Sequence, residues 1–187
     1  MSFGKLRITA SFLLLMAFLN YMDRQGIVPL SLLACAIHEA AHVAAIRCLG
    51  GSITLLRLTA FGAEIRLSRS LSYGRELLAA AAGPGINLLV CGLCCLLPGW
   101  DVFAGLNLVL AAFNLLPLER LDGGRITACA LSLTAGPEAA HWTMLWLGRI
   151  LSGTVLGLGL GLVFIGGSPT LLLAALWLAA QQWGSEG

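Results

Sequence analysis

Between Arg149 and Glu186 the chain carries no charged residue. So long an uncharged run does not suit a water-soluble helix, which keeps a polar face beside its buried one. In hydrocarbon every backbone N–H and C=O must find a partner within its own segment, so the run is expected to be helical. Gly166-Gly167-Ser168-Pro169 divides it into spans at 144–165 and 170–183, the second short for a bilayer that needs about 20 residues. Apolar runs at 8–22, 31–50, 73–98 and 102–118 repeat the theme. With 58% hydrophobic and 11% charged residues among 187, one bundle accounts for the whole chain, 1–187. The expected fold is an all-α polytopic membrane protein with about six transmembrane helices.

Residues 53–68 break the pattern. Leu56, Leu58, Ala63, Ile65 and Leu67 alternate with Arg57, Thr59, Glu64, Arg66 and Ser68 around Phe61-Gly62. That period of two predicts a β-hairpin after the second helix. An open sheet edge is not tolerated in lipid, so the hairpin belongs at the membrane surface. Residues 1–7 read as a short basic tail, and no small-residue cleavage site follows the first apolar run.

Six spans put both termini on one side, together with Lys5, Arg7, Arg47, Arg57, Arg66, Arg69 and Arg75; Arg24 stands alone opposite. The excess of cations assigns that side to the cytoplasm. No block of like charge points to nucleic acid. The six cysteines all fall in apolar segments, so Cys91 and Cys94, though spaced C-x-x-C, read as buried thiols.

Within the 31–50 run stand His38, Glu39 and His42, spaced H-E-x-x-H. Residues four apart share a helix face, so the two imidazoles can grip one metal ion. Glu39 can then reach a water at that ion as general base. Charged side chains are costly in a bilayer, and ionisable groups there need a partner or a task. A membrane helix whose polar residues merely pair with neighbouring helices is the competing reading. Two histidines leave zinc, preferred here by ligand type, one protein ligand short of a catalytic site.

Two further stretches offer partners. In AGPGIN (82–87) Pro84 predicts a kink, and Asn87 is either packing glue or a hydrogen-bond donor toward a tetrahedral oxyanion. In FNLLPLERLDGGRI (113–126) Pro117 stops a helix and Asp122-Gly123-Gly124 predicts a second break, with helix resuming at 126–133. Asp122, anionic at a break inside an apolar bundle, is the preferred third ligand; Glu119 competes but sits beside Arg120. His141 lacks an i+4 partner and reads as juxtamembrane.

The three motifs together, in this order and with the hairpin between them, resemble the site-2 protease family of intramembrane zinc metalloproteases over residues 31–133. The resemblance implies one zinc ion held by His38, His42 and Asp122, catalytic Glu39, and Asn87 and Asn114 near the substrate. It implies cleavage of a membrane-embedded or membrane-associated protein, often a regulator of transcription, at the bacterial cell membrane, and admits a regulatory membrane partner. ITLLRLTAFGAEIRL and LLPLERLDGGR look most like the sporulation-type branch, which processes a pro-sigma factor. The hairpin edge is expected to take an unwound substrate segment as an added strand. No CBS or PDZ domain is expected, which counts against nucleotide sensing. Glu119-Arg120 departs from the apolar or proline-rich residues common there. The alternative is a transporter or metal-handling protein, suggested by broken helices and polar midplane residues, although paired repeats are not evident.

Overall fold

We describe residues 5–59 and 62–166 of a computed structural model. The expected span at 170–183 and the tip of the hairpin turn lie outside the described residues. The order is β1 (Lys5–Ile8), α1 (Ala10–Met22), α2 (Ile27–Cys48), β2 (Ile53–Thr59), β3 (Gly62–Leu67), α3 (Tyr73–Cys94), α4 (Asp101–Asn114), α5 (Asp122–Thr134) and α6 (Pro137–Phe164).

The hairpin forms as its alternation demands, β2 antiparallel to β3, with Arg57 opposite Glu64. The basic tail, however, contributes a third strand: β1 runs parallel to β2, pairing Arg7 with Arg57. Lys-Leu-Arg-Ile does alternate, but four residues are too few to announce a strand whose partner lies some fifty residues away. Thr9 links sheet to bundle. Its Oγ1 donates to the Leu58 carbonyl at 2.9 Å and accepts from the Phe12 amide at the start of α1.

α2, α3 and α6 are long and apolar enough to cross a membrane, while α1 and α4 are shorter apolar helices. The distribution of side chains is that of a molecule solvated by lipid. Leu13, Leu14, Phe18, Leu89, Val109, Trp146, Ile150 and Leu158 face outward, whereas His38, His42, Asn87, Asn107, Asp122 and Ser152 are buried. Asn87, Asn107 and Pro84 are the largest fully buried side chains among the described residues. A soluble protein inverts this arrangement.

α3 is the central helix, packed against α2, α4 and α5. It runs unbroken through Pro84 and buries Ala79, Ala80, Gly83, Pro84 and Asn87 along one side. α2 ends as its glycines predict. Gly50 takes a left-handed φ of 82° and donates to the Arg47 carbonyl, while Gly51 donates to Ile46.

Two expectations are corrected. Asp122-Gly123-Gly124 does not break the backbone; it forms the first turn of α5, and helix begins at 122 rather than 126. The glycines are there for closeness: a Cβ on Gly123 would press into the Leu115 and Leu116 carbonyls, and one on Gly124 into Leu118 and Glu119. The expected 144–165 span is part of a longer helix starting at Pro137. Of the cysteines, only Cys94 and Cys129 are buried; Cys35, Cys48 and Cys95 are exposed, and all six are free thiols.

Candidate metal centre

His38 and His42 lie one turn apart on α2, each about 5% exposed, with their rings edge-on at 4.7 Å. Their Nε2 atoms are 3.1 Å apart. Asp122, at the start of α5, brings Oδ2 to 3.0 Å from both. Two imidazole nitrogens and one carboxylate oxygen thus close a nearly equilateral triangle, assembled from helices some eighty residues apart in the chain.

Each ring is held by its other nitrogen. His42 Nδ1–H donates to the Ala79 carbonyl of α3 at 2.7 Å, and His38 Nδ1–H donates to Asn87 Oδ1, also of α3, at 2.5 Å. With both Nδ1 atoms serving as donors, the two Nε2 lone pairs turn toward Asp122. Three electron-rich atoms so close inside an apolar bundle call for a proton or a cation between them. Tetrahedral zinc with ligands at 2.0–2.1 Å sets ligand atoms about 3.3 Å apart, so the triangle fits that ion with little adjustment. His38, His42 and Asp122 are the three-residue group among the described residues able to hold a metal.

Asp122 has a partner of its own. Oδ1 lies 3.6 Å from Arg125 one turn along α5, and Arg125 reaches Glu76 of α3 at 3.5 Å. This link keeps Oδ2 free for the histidines. Gly83 explains how α3 comes so near: a Cβ there would sit 2.6 Å from His42 Cε1 and 2.7 Å from His38 Cε1. Glu39 is half-buried on α2 beside His38, within electrostatic reach of both histidines, Asp122 and Arg125.

No protein-family model matches the chain. Along an alignment of 168 positions that covers 78% of this chain, it is 32% identical to the "Putative zinc metalloprotease Rip3" of Mycobacterium tuberculosis, in strains Erdman and H37Rv. The structure superimposes on the "Site-2 Protease from Methanocaldococcus jannaschii" with a TM-score of 0.69 and 22% identity, covering 96% of this chain and 89% of that one. The chain thus has the fold of that site-2 protease and is similar in sequence to the mycobacterial protein. It spans 40% of the length of the curated mycobacterial relatives.

Around this centre the other candidates fall in different places. Asn87 does reach the centre, but as a support. Fully buried, it accepts from His38 and donates to Asn107 Oδ1 at 2.7 Å and the Ala34 carbonyl at 3.4 Å. Both amide hydrogens thereby have partners within the protein. Asn114, at the end of α4, donates to Leu110 within its own helix at 3.0 Å. Glu119 is exposed and outside the triangle, and His141 is exposed on α6 beside Trp142. Asn107 and Arg125 escaped the sequence reading, whereas Gly83 belongs to the AGPGIN stretch, whose glycines permit close helix approach. Asn107 had one signal: it is an amide in the middle of an apolar helix.

Proposed function

We propose that this protein is an intramembrane zinc endopeptidase, which hydrolyses a peptide bond in a membrane-embedded or membrane-associated protein. One observation carries the reading: two imidazole nitrogens and a carboxylate oxygen converge at 3.0–3.1 Å inside an apolar bundle, with Glu39 the next residue after His38. The name of the mycobacterial relative, a zinc metalloprotease, points the same way.

His38, His42 and Asp122 would hold one zinc ion. Bound there, zinc polarises a carbonyl and brings the pKa of water toward ~7. Glu39 takes a proton from the attacking water as the new C–O bond forms. It returns that proton to the amide nitrogen as the C–N bond breaks, leaving a carboxylic acid and an amine. The surrounding apolar side chains keep bulk water away and strengthen the electrostatics at this point.

A helical substrate hides its carbonyls in intrahelical hydrogen bonds, so the segment to be cut must be extended first. β2 is paired on both sides, so an added strand would use the outer edge of β1 or β3. On the excess of cations around the hairpin we assign that sheet, and both termini, to the cytoplasmic side of a bacterial membrane. A regulatory factor of the pro-sigma type is the substrate class favoured by the LLPLERLDGGR segment.

The test uses proteoliposomes containing a fluorogenic transmembrane peptide with a Gly-Pro centre, which extends readily. Wild type loaded with zinc is expected to release product. Glu39→Gln should lose at least ~100-fold in rate, as expected on removing a general base, while retaining zinc. Equal rates for the two proteins would refute the assignment.

A further inference from the structure

The structure assigns to Asn107 a role no motif announces: we infer that it is a positioning residue that sets the metal-binding face of His38 through Asn87. The inference rests on the metal reading above. Its basis is a chain of hydrogen bonds with one possible direction. Asn107 Nδ2 donates to the Phe103 carbonyl at 2.9 Å. Asn107 Oδ1 accepts from Asn87 Nδ2 at 2.7 Å, and Asn87 Oδ1 accepts from His38 Nδ1–H at 2.5 Å.

A backbone carbonyl can only accept. Phe103 therefore fixes which end of the Asn107 amide faces it, and that fixes Asn107 Oδ1 toward Asn87. Asn87 must then present its nitrogen to Asn107, and the Ala34 carbonyl at 3.4 Å demands the same orientation. What remains for His38 is the Asn87 oxygen, an acceptor, so the ring proton sits on Nδ1 and the lone pair on Nε2 faces His42 and Asp122. Without Asn107 only the long contact to the Ala34 carbonyl opposes rotation of the Asn87 amide, so part of the population offers N–H to His38 Nδ1. In that fraction the ring proton sits on Nε2, where it competes with a metal.

The two histidines differ in this respect. His42 leans directly on the Ala79 carbonyl, which has no second orientation, whereas His38 depends on two rotatable amides from two helices. Asn87 and Asn107 are both 0% exposed, so water does not substitute for either partner. α4, which supplies no ligand, thereby acts on the centre.

The experiment measures zinc affinity in detergent by competition with a chromophoric chelator, for wild type, Asn107→Leu, Asn87→Leu and the double variant. Outer-shell partners of metal-bound histidine are worth about 10–100-fold in affinity, and Asn107→Leu is expected to lose about 10-fold. Because Asn107 acts through Asn87, the double variant should bind no more weakly than Asn87→Leu alone. Asn107→Asp, which as a neutral acid in this apolar setting can donate O–H to the Phe103 carbonyl and keep an oxygen acceptor facing Asn87, should recover most of the loss. In the zinc-loaded protein the His38 Nδ1–H NMR signal should lose exchange protection in Asn107→Leu, while that of His42 is unchanged.

Affinity within twofold of wild type, or losses that add in the double variant, would overturn the inference. If Asn107→Leu does not fold, Asn107→Ser carries the same test, since its hydroxyl is too short to reach Asn87. A wild-type protein that binds no zinc would instead sink the metal reading itself, and the two failures are told apart by that measurement.

Discussion

Gly83→Ala is a one-carbon change that should empty the centre. The added Cβ would lie 2.6 Å from His42 Cε1 and 2.7 Å from His38 Cε1. The nearest atom would be His42 Nε2 itself, closer still; carbon atoms rest about 3.5 Å apart, so even at the ring carbons the shortfall is about 0.9 Å. Neither ring can give way alone, because His42 is tied to Ala79 at 2.7 Å and His38 to Asn87 at 2.5 Å, both on the helix that carries the new methyl. Moving α3 back by that distance stretches the His42–Ala79 bond to about 3.6 Å, beyond hydrogen-bond range. Rotating the rings instead displaces Nε2 by more than the ~0.2 Å that a metal site tolerates. Loss of one or both outer-shell supports predicts zinc binding weaker by about 100-fold, or about 2.8 kcal/mol. Chelator competition in detergent reads this directly. Gly85→Ala is the control on the same helix, since a Cβ there meets nothing within 4 Å. The reasoning fails if Gly83→Ala holds zinc within twofold of wild type, or if both alanine variants lose it equally.

Further outcomes follow from the same geometry. Asp122→Ala should abolish stoichiometric zinc, weakening it more than ~100-fold and so beyond the range of outer-shell changes, while Glu119→Ala should retain one ion; metal analysis of the purified proteins decides between the two carboxylates. Asp23, in the connection between α1 and α2, accepts backbone N–H bonds from Val28 at 2.9 Å and from Ile27 and Gln25 at 3.1 Å. The Val28 amide foremost holds its carboxyl below the ordinary 3.8. A lowered pKa in the fold means stabilisation present above the unfolded value and lost as pH falls through the folded one. Thermal midpoints of wild type should therefore drop more steeply than those of Asp23→Asn as pH falls below ~4; parallel curves would show that this carboxylate does not stabilise the start of α2.

The hairpin shows how far a local pattern reaches. Alternation over 53–68 was enough for β2 and β3, because both partners and the turn lie within one short stretch. β1 has alternation too, but its partner is distant, and only the tertiary fold brings it to β2. The expected break at Asp122 failed for a related reason. Paired glycines read as weak helix formers, yet here they let α5 begin against the Leu115, Leu116 and Leu118 carbonyls.

What the sequence determined by itself is what one helix or one apolar run dictates: that the chain is solvated by lipid, and that His38 and His42 share a face with Glu39 beside them. Those follow from composition and from a 3.6-residue period, which need no neighbour. Asp122 could be nominated on charge and depth alone. Only the packing of α2, α3 and α5 decided that its Oδ2 meets both rings at 3.0 Å, that Gly83 makes room for them, and that Asn87 faces His38. Asn107 belongs wholly to the tertiary structure. A hydrogen bond between amides twenty residues apart, on two different helices, leaves no period in the sequence; it exists only because burial obliges each polar group to find its partner.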